Sequence, residues 1–240
     1  MPNREIIIDP AFEGPPASAH GGYACGVLAA RLAADAEITL RKPVPLGTGL
    51  RLASHNGGLA LYDENDLVAQ GASILLSDRT PQPPTFAEAL AATASFPGLR
   101  FHPYPRCVGC GTGRTDALAF RIFPGPLVAR ELVAAVWYPS SDATAAGFIK
   151  PEFAWAALDC PGGWAAISFG RVDRPAVLGR MAARLLPPIT AQSAYIVVGW
   201  LEGGSGRKLT AGSALYSRDG VVLGFSRQTW ITLTDAGTPR

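Results

Sequence analysis

Residues Ala19-His20-Gly21-Gly22-Tyr23, running on into Ala24-Cys25-Gly26-Val27-Leu28-Ala29-Ala30, decide how this 240-residue chain is read. A glycine doublet and an aromatic residue open a proline-free run of small and aliphatic side chains. That composition predicts a tightly packed, buried helix from Tyr23 to Ala34, with side chains small enough for a sheet to come close. The signal returns as Gly162-Gly163-Trp164, 141 residues after Gly21. A second echo follows in the same order: Ala60-Leu61-Tyr62 with Leu67-Val68 reappears as Ala214-Leu215-Tyr216 with Val221-Val222, 154 residues on. Two matched signals in one order indicate an internal duplication.

Working outward, the first copy continues as strands at Ile38–Val44, Leu50–Ser54, Leu59–Tyr62 and Leu67–Leu76. Gly47, Gly49 and Asn56-Gly57-Gly58 separate them, and Asn56-Gly57 is a strong hairpin signal. Pro81, Pro83 and Pro84 then interrupt regular structure. Thr85 and Glu88 supply a capping box for a short helix to about Ser95. The second copy is expected to bring strands at Leu118–Phe123 and Leu132–Tyr138, and a short helix at Glu152–Leu158 opened by Pro151. A central helix starting at Gly162-Gly163 should follow, then strands at Val177–Leu186, Ser193–Glu202, Lys208–Tyr216 and Val221–Leu233. The chain thus divides into an N-terminal unit (1–80), a linker with its own helix (81–105) and a C-terminal unit (106–240).

Composition narrows the function. With 48% apolar and 17% charged residues the chain has the balance of a globular protein, and a formal charge of +2 argues against a nucleic-acid binder held by phosphate neutralisation. Any cationic site must be local. Phe153–Phe169 is apolar but carries Asp159, Pro161, Gly162 and Gly163, so no membrane span is expected. The opening residues lack a secretory apolar region, which predicts a cytoplasmic protein with reduced cysteines at 25, 107, 110 and 160.

The chain resembles the double-hotdog members of the acyl-CoA thioesterase-like superfamily. Ala19-His20-Gly21-Gly22-Tyr23, Phe153 through Trp164, and Gly206-Arg207-Lys208-Leu209 running into Ala211–Tyr216 carry the likeness. Cys107-Val108-Gly109-Cys110-Gly111 is similar to the cysteine-containing opening segment of many single-hotdog thioesterases. The resemblance implies an α+β tandem hotdog, with two antiparallel sheets each wrapped around a central helix and edge strands able to pair into one. It implies an acyl thioester, linked to CoA or a carrier, as the partner, with no cofactor, and open outer edges through which copies could associate.

Thioester hydrolysis needs an electrophile at the carbonyl oxygen and a carboxylate to order water. Gly21, Gly22, Gly162 and Gly163, read as helix N-termini, would offer bare backbone N–H groups along the helix dipole. Close helix-to-strand packing explains the same glycines without function. Many hotdog thioesterases carry an acid two to three turns into the central helix; Tyr23–Ala34 and Trp164–Gly170 contain none. Asp159 is then the candidate base, with His20 as its polar partner, although Asp159 would equally cap the helix expected after it. Tyr23, Trp164 and Cys160 are candidate pocket residues, and Arg207, Lys208, Arg41 and Lys42 candidates for CoA phosphates, against a plain reading as solvated strand ends.

With no helix acid, a non-catalytic thioester-binding or assembly module is the alternative, and a hotdog hydratase or dehydratase the third reading. Cys107-x-x-Cys110 is half a zinc knuckle. His102 with the distant Cys25 or Cys160 makes no matching second pair, so no metal is expected and the segment reads as a structural loop.

Overall fold

The computed structural model describes residues 4–32, 35–170, 174–186 and 188–234. Thirteen strands and three α-helices succeed one another in these residues: β1 (Arg4–Ile6), α1 (Gly21–Ala29), β2 (Ala36–Leu40), β3 (Leu50–His55), β4 (Gly58–Asp63), β5 (Asp66–Ser73), α2 (Phe86–Thr93), β6 (Gly125–Leu127), β7 (Leu132–Trp137), β8 (Thr144–Ala145), β9 (Phe148–Ile149), α3 (Pro151–Phe169), β10 (Ala176–Leu185), β11 (Tyr195–Ser205), β12 (Lys208–Ser217) and β13 (Val222–Thr232). Ala33 and Ala34, the end of the expected first helix, lie outside the described residues.

Eleven strands form one antiparallel sheet in the order β1-β3-β4-β5-β2-β10-β13-β12-β11-β7-β6, while β8 and β9 pair separately. The expectation of two sheets is therefore corrected: the edges join through β2 and β10, in register from Arg180 opposite Thr39 to Ala183 opposite Ala36. Arg180 and Glu37 meet across that seam at 3.4 Å. Pairing the two edges satisfies backbone groups that each would otherwise expose.

Local signals explain several boundaries. The β3–β4 turn places Asn56 and Gly57 at φ 46° and 77°, the left-handed pair that a two-residue hairpin requires. At α2 the capping box closes as expected, Glu88 N–H donating to Thr85 Oγ1 at 3.2 Å and Thr85 N–H to Glu88 Oε2 at 2.7 Å. Leu118–Phe123 is not a strand. Its Phe120 and Ile122 amides donate to the carbonyls of Val108 and Gly109, so the segment is hydrogen-bonded to the Cys107 loop instead of a sheet neighbour.

At β7 both sheet faces are covered. Ala135 and Trp137 of β7 face the core that contains α1 and α3, and Ala134 and Val136 face the layer that contains α2. The central helix is α3, buried without interruption from Phe153 to Ala166. A helix apolar on all sides belongs in the middle of a core.

One helix spans Pro151 to Phe169, so the expected break before Gly162 does not occur. Pro161 has no N–H and its ring crowds the preceding turn, which disturbs the local backbone hydrogen bonds. The sheet supplies partners there: Gln228 Nε2 donates to Leu158 O at 2.7 Å, and Ser213 Oγ donates to the same oxygen. Trp230 Nε1 in turn donates to Gln228 Oε1 at 2.7 Å. This buried network ties the middle of α3 to β12 and β13.

Candidate functional site

The start of α1 and the middle of α3 cross at small residues. A Cβ on Gly22 would lie 2.5 Å from Asp159 Cβ, and one on Gly26 would lie 2.7 Å from Glu152 Cα. Two glycines four apart on α1 thus let α3 pass with Glu152, Trp155 and Asp159 on the facing side. The crossing brings Asp159 under the first turn of α1.

That turn has three helical amides to satisfy. Gly22 N–H donates to Asp159 Oδ2 at 2.6 Å, and Tyr23 N–H to His20 Nδ1 at 3.3 Å. Among the described residues, the Gly21 N–H is left without a protein acceptor. Asp159 therefore caps a helix, but a neighbouring one: the expectation that it caps the helix after it is corrected, because it lies inside α3. Its other oxygen, Oδ1, is buried with no hydrogen-bond partner.

His20 is 2% exposed and Asp159 3%. The Asp159 carboxylate lies 3.4 Å from His20 Nδ1, and Cys160 Sγ lies 3.3 Å from His20 Nε2. Burial works to lower the His20 pKa, but the charges of Asp159 and Cys107 outweigh it and hold the value at about 9. Burial raises Asp159, opposed by His20 and the Gly22 amide. Cys107 sits well below the usual thiol range, held there by hydrogen bonds from Cys110 and Cys160 against the cost of burial. The cluster extends outward: Cys107 Sγ is 4.0 Å from Cys160 Sγ and 3.8 Å from Cys110 Sγ, and Cys110 Sγ is 3.3 Å from His102 Nε2 and 3.4 Å from Trp164 Nε1.

A cavity of about 420 Å³ opens over this cluster. Gly21, His20, Asp159 and Cys160 line it, with apolar walls from Leu178, Trp164, Ile167 and Trp230 and cations from Arg41, Lys42 and Arg207. It draws on residues from both the 14–44 and the 159–233 parts of the chain. Lys42 also pairs with Asp66 at 2.7 Å, and Arg207 donates to Thr232 O at 2.9 Å.

Gly163 also lines the cavity, while the remaining sequence candidates are placed elsewhere. Gly162 and Gly163 sit inside α3, so the expected helix N-terminus there is corrected: their backbone belongs to the helix interior. A side chain on Gly162 would collide with Gln228, and a Cβ on Gly163 would lie 2.6 Å from the Trp230 ring. These two glycines serve close approach of helix to sheet. The Gly22 amide is already committed to Asp159. Tyr23 does not line the cavity; its ring stacks on Phe12 at 3.7 Å, with Phe153 edge-on. Lys208 is exposed at the start of β12 and is not part of the cavity wall. Cys25 is fully buried, and burial raises its thiol pKa well above the usual value.

Sequence spacing did not reveal that His20 and Cys160 join Cys107 and Cys110. The donor atoms of His20, Cys107 and Cys160 all lie within 4.8 Å of one another, a set able to hold a metal ion. The only signal was compositional, since three of four cysteines fall beside a Cys-x-x-Cys pair or a glycine doublet.

Neither a protein-family model nor a curated protein sequence matches the chain. Solved structures do. A hot dog fold protein of unknown function from Alicyclobacillus acidocaldarius superposes with a TM-score of 0.61 at 12% identity, over 97% of this chain and 92% of that one. A candidate thioesterase from Novosphingobium aromaticivorans gives 0.61 at 13% identity, over 96% and 95%. The tesB protein of Mycobacterium avium subs paratuberculosis gives 0.57 at 11% identity, over 92% and 90%. The chain has the hotdog fold, and its structural neighbours include thioesterase-like proteins.

Proposed function

We propose that the chain is a double hotdog, with units at 1–80 and 106–240 sharing one sheet, that binds an acyl thioester in the cavity and hydrolyses it. One observation carries the hydrolytic reading: Asp159 Oδ1 is buried and unpartnered in the wall that also holds the open Gly21 N–H. A Cβ on Gly21 would lie 2.9 Å from Leu178 Cδ2 and 3.4 Å from Asp159 Oδ2, so Leu178 and the carboxylate both border the first turn of α1.

In this reading the thioester carbonyl accepts from Gly21 N–H, where the helix dipole favours developing negative charge. Water on Asp159 Oδ1 gives up a proton to the carboxylate as its oxygen adds to the carbonyl carbon. Collapse of the tetrahedral intermediate breaks the carbon–sulfur bond, and the leaving thiolate recovers the proton. Acid and thiol result. His20 is a positioning residue, acting on Asp159 through Nδ1. Arg41, Lys42 and Arg207 suit the phosphates of CoA, and Leu178, Trp164, Ile167 and Trp230 suit the acyl chain. Residues 81–105 connect the units, and the work is assigned to the cytoplasm.

A panel of acyl-CoAs, with release of free thiol as readout, tests the reading. Asp159→Asn keeps the shape and is expected to lower kcat by about 10²-fold or more. An unchanged rate removes Asp159 from the mechanism. One observation favours the non-catalytic alternative: Asp159 Oδ2 already serves the α1 cap, which is a structural duty. Thermal stabilisation by CoA thioesters with no turnover by the native protein would select that alternative.

A further inference from the structure

We propose that Cys107, Cys110 and Cys160, with Nε2 of His20, form a closed tetrahedral site for a divalent zinc ion beside the cavity. The inference does not require thioester turnover.

Geometry comes first. Zinc holds thiolate sulfur at about 2.3 Å and imidazole nitrogen at about 2.0–2.1 Å, so tetrahedral donors stand about 3.5–3.8 Å apart. Here the sulfur–sulfur separations are 4.0 Å (Cys107 to Cys160) and 3.8 Å (Cys107 to Cys110), and His20 Nε2 is 3.3 Å from Cys160 Sγ. His20, Cys107 and Cys160 need only small adjustments, whereas Cys110 Sγ, which is not part of the set within 4.8 Å, must swing inward to complete the tetrahedron. All four residues are buried.

The surroundings separate ligand from supporter. His102 Nδ1 accepts the Tyr104 N–H at 2.9 Å, which puts the ring proton on Nε2. That nitrogen then donates to Cys110 Sγ, as Trp164 Nε1 does, so His102 supports a thiolate and is not itself a ligand. His20 Nδ1 likewise accepts a main-chain amide, Tyr23 N–H at 3.3 Å, but unlike His102 it also faces a carboxylate. A metal on Nε2 moves the ring proton to Nδ1, which gives up the Tyr23 amide and donates instead to Asp159 Oδ2, 3.4 Å away, completing the carboxylate–histidine–metal relation that orients ligating imidazoles. Gly109 closes the loop over the donors: a Cβ there would lie 2.6 Å from Cys160 Sγ and 2.7 Å from His20 Nε2.

Four protein donors leave no open coordination position, so the ion is structural. It ties the 107–110 loop to the middle of α3 and the start of α1, three segments that converge on the cavity. Binding transfers the thiol protons to solvent.

The test uses the full chain purified under reducing conditions without chelator. Elemental analysis is expected to find one zinc per chain, and X-ray absorption to find three sulfurs at about 2.3 Å and one nitrogen at about 2.0 Å. Chelator-treated protein given cobalt(II) alone should develop tetrahedral ligand-field bands with thiolate charge transfer. Cys110→Ser should weaken cobalt binding at least tenfold, and His102→Gln should leave the stoichiometry unchanged. The wild-type sulfur count stands as a measurement independent of whether the cysteine variant folds. Absence of stoichiometric zinc and cobalt binding by the wild type, or a coordination shell without sulfur, overturns the proposal. Metal without thiol release would sink only the catalytic reading, and thiol release by protein that cannot bind metal would sink only this one.

Discussion

At Gly21-Gly22 the chain is entering a helix, with His20 as its N-cap; at Gly162-Gly163 it is already about three turns inside one. The two doublets share a following aromatic residue, yet they do different physical work. The first leaves one amide facing a cavity and lends another to Asp159. The second has no open helix end to offer, and its missing side chains let Gln228 and Trp230 reach α3. The difference arises upstream, where Pro151 opens α3 and nothing before Pro161 stops it. Two similar stretches of sequence therefore contribute to one cavity in different ways.

Proline substitutions should expose that asymmetry most sharply. Gly162→Pro places a second ring inside α3 and is expected to cost about 3 kcal/mol or more, read as a large fall in the denaturation midpoint. Gly21→Pro falls at the first helical position, where proline is tolerated. Its Cβ must displace Leu178, 2.9 Å away, so it should lower the midpoint by less than Gly162→Pro while lowering kcat about 10²–10³-fold, since it deletes the one amide assigned to the carbonyl oxygen. Equal loss of stability at both positions would erase the distinction.

Next in size is Gln228→Leu, which strips a donor from Leu158 O and an acceptor from Trp230 Nε1. A loss of about 1–3 kcal/mol is expected from the groups left unpaired. Chemical denaturation measures it, and an unchanged midpoint would mean that the Pro161 region does not depend on the sheet. The smallest effect should be at the cavity mouth. Arg41→Ala or Arg207→Ala should raise KM for a CoA thioester about fivefold at low salt, and less at high salt, without changing it for a short thioester that lacks phosphates. Parallel changes for both substrates would remove these residues from phosphate binding.

Where a conformation depended on neighbours in sequence, it was legible. Asn56-Gly57 can make its turn unaided, Thr85 and Glu88 close their capping box within one helical turn, and His20-Gly21-Gly22 starts a helix. Pro161 misled, because the sheet accommodates a proline that would break an isolated helix. Leu118–Phe123 misled as well: its apolar pattern finds hydrogen-bond partners in the Cys107 loop and not in a strand. Asp159 was legible as a residue of interest, but not as the cap of α1, since its partner Gly22 lies 137 positions away.

The amino-acid sequence by itself determined the β3–β4 hairpin, the capping box of α2, the first doublet as a helix start and the lack of an acid farther along that helix. These follow from local propensity and hydrophobic pattern, which act over a few residues. Only the tertiary structure decided that the edges of the two halves meet at β2 and β10, that the second doublet is buried in α3, and that His20 and Cys160 stand beside Cys107 and Cys110. Such contacts arise when the crossing of α1 and α3 brings distant segments together, and residue spacing along a chain does not encode distances across a core.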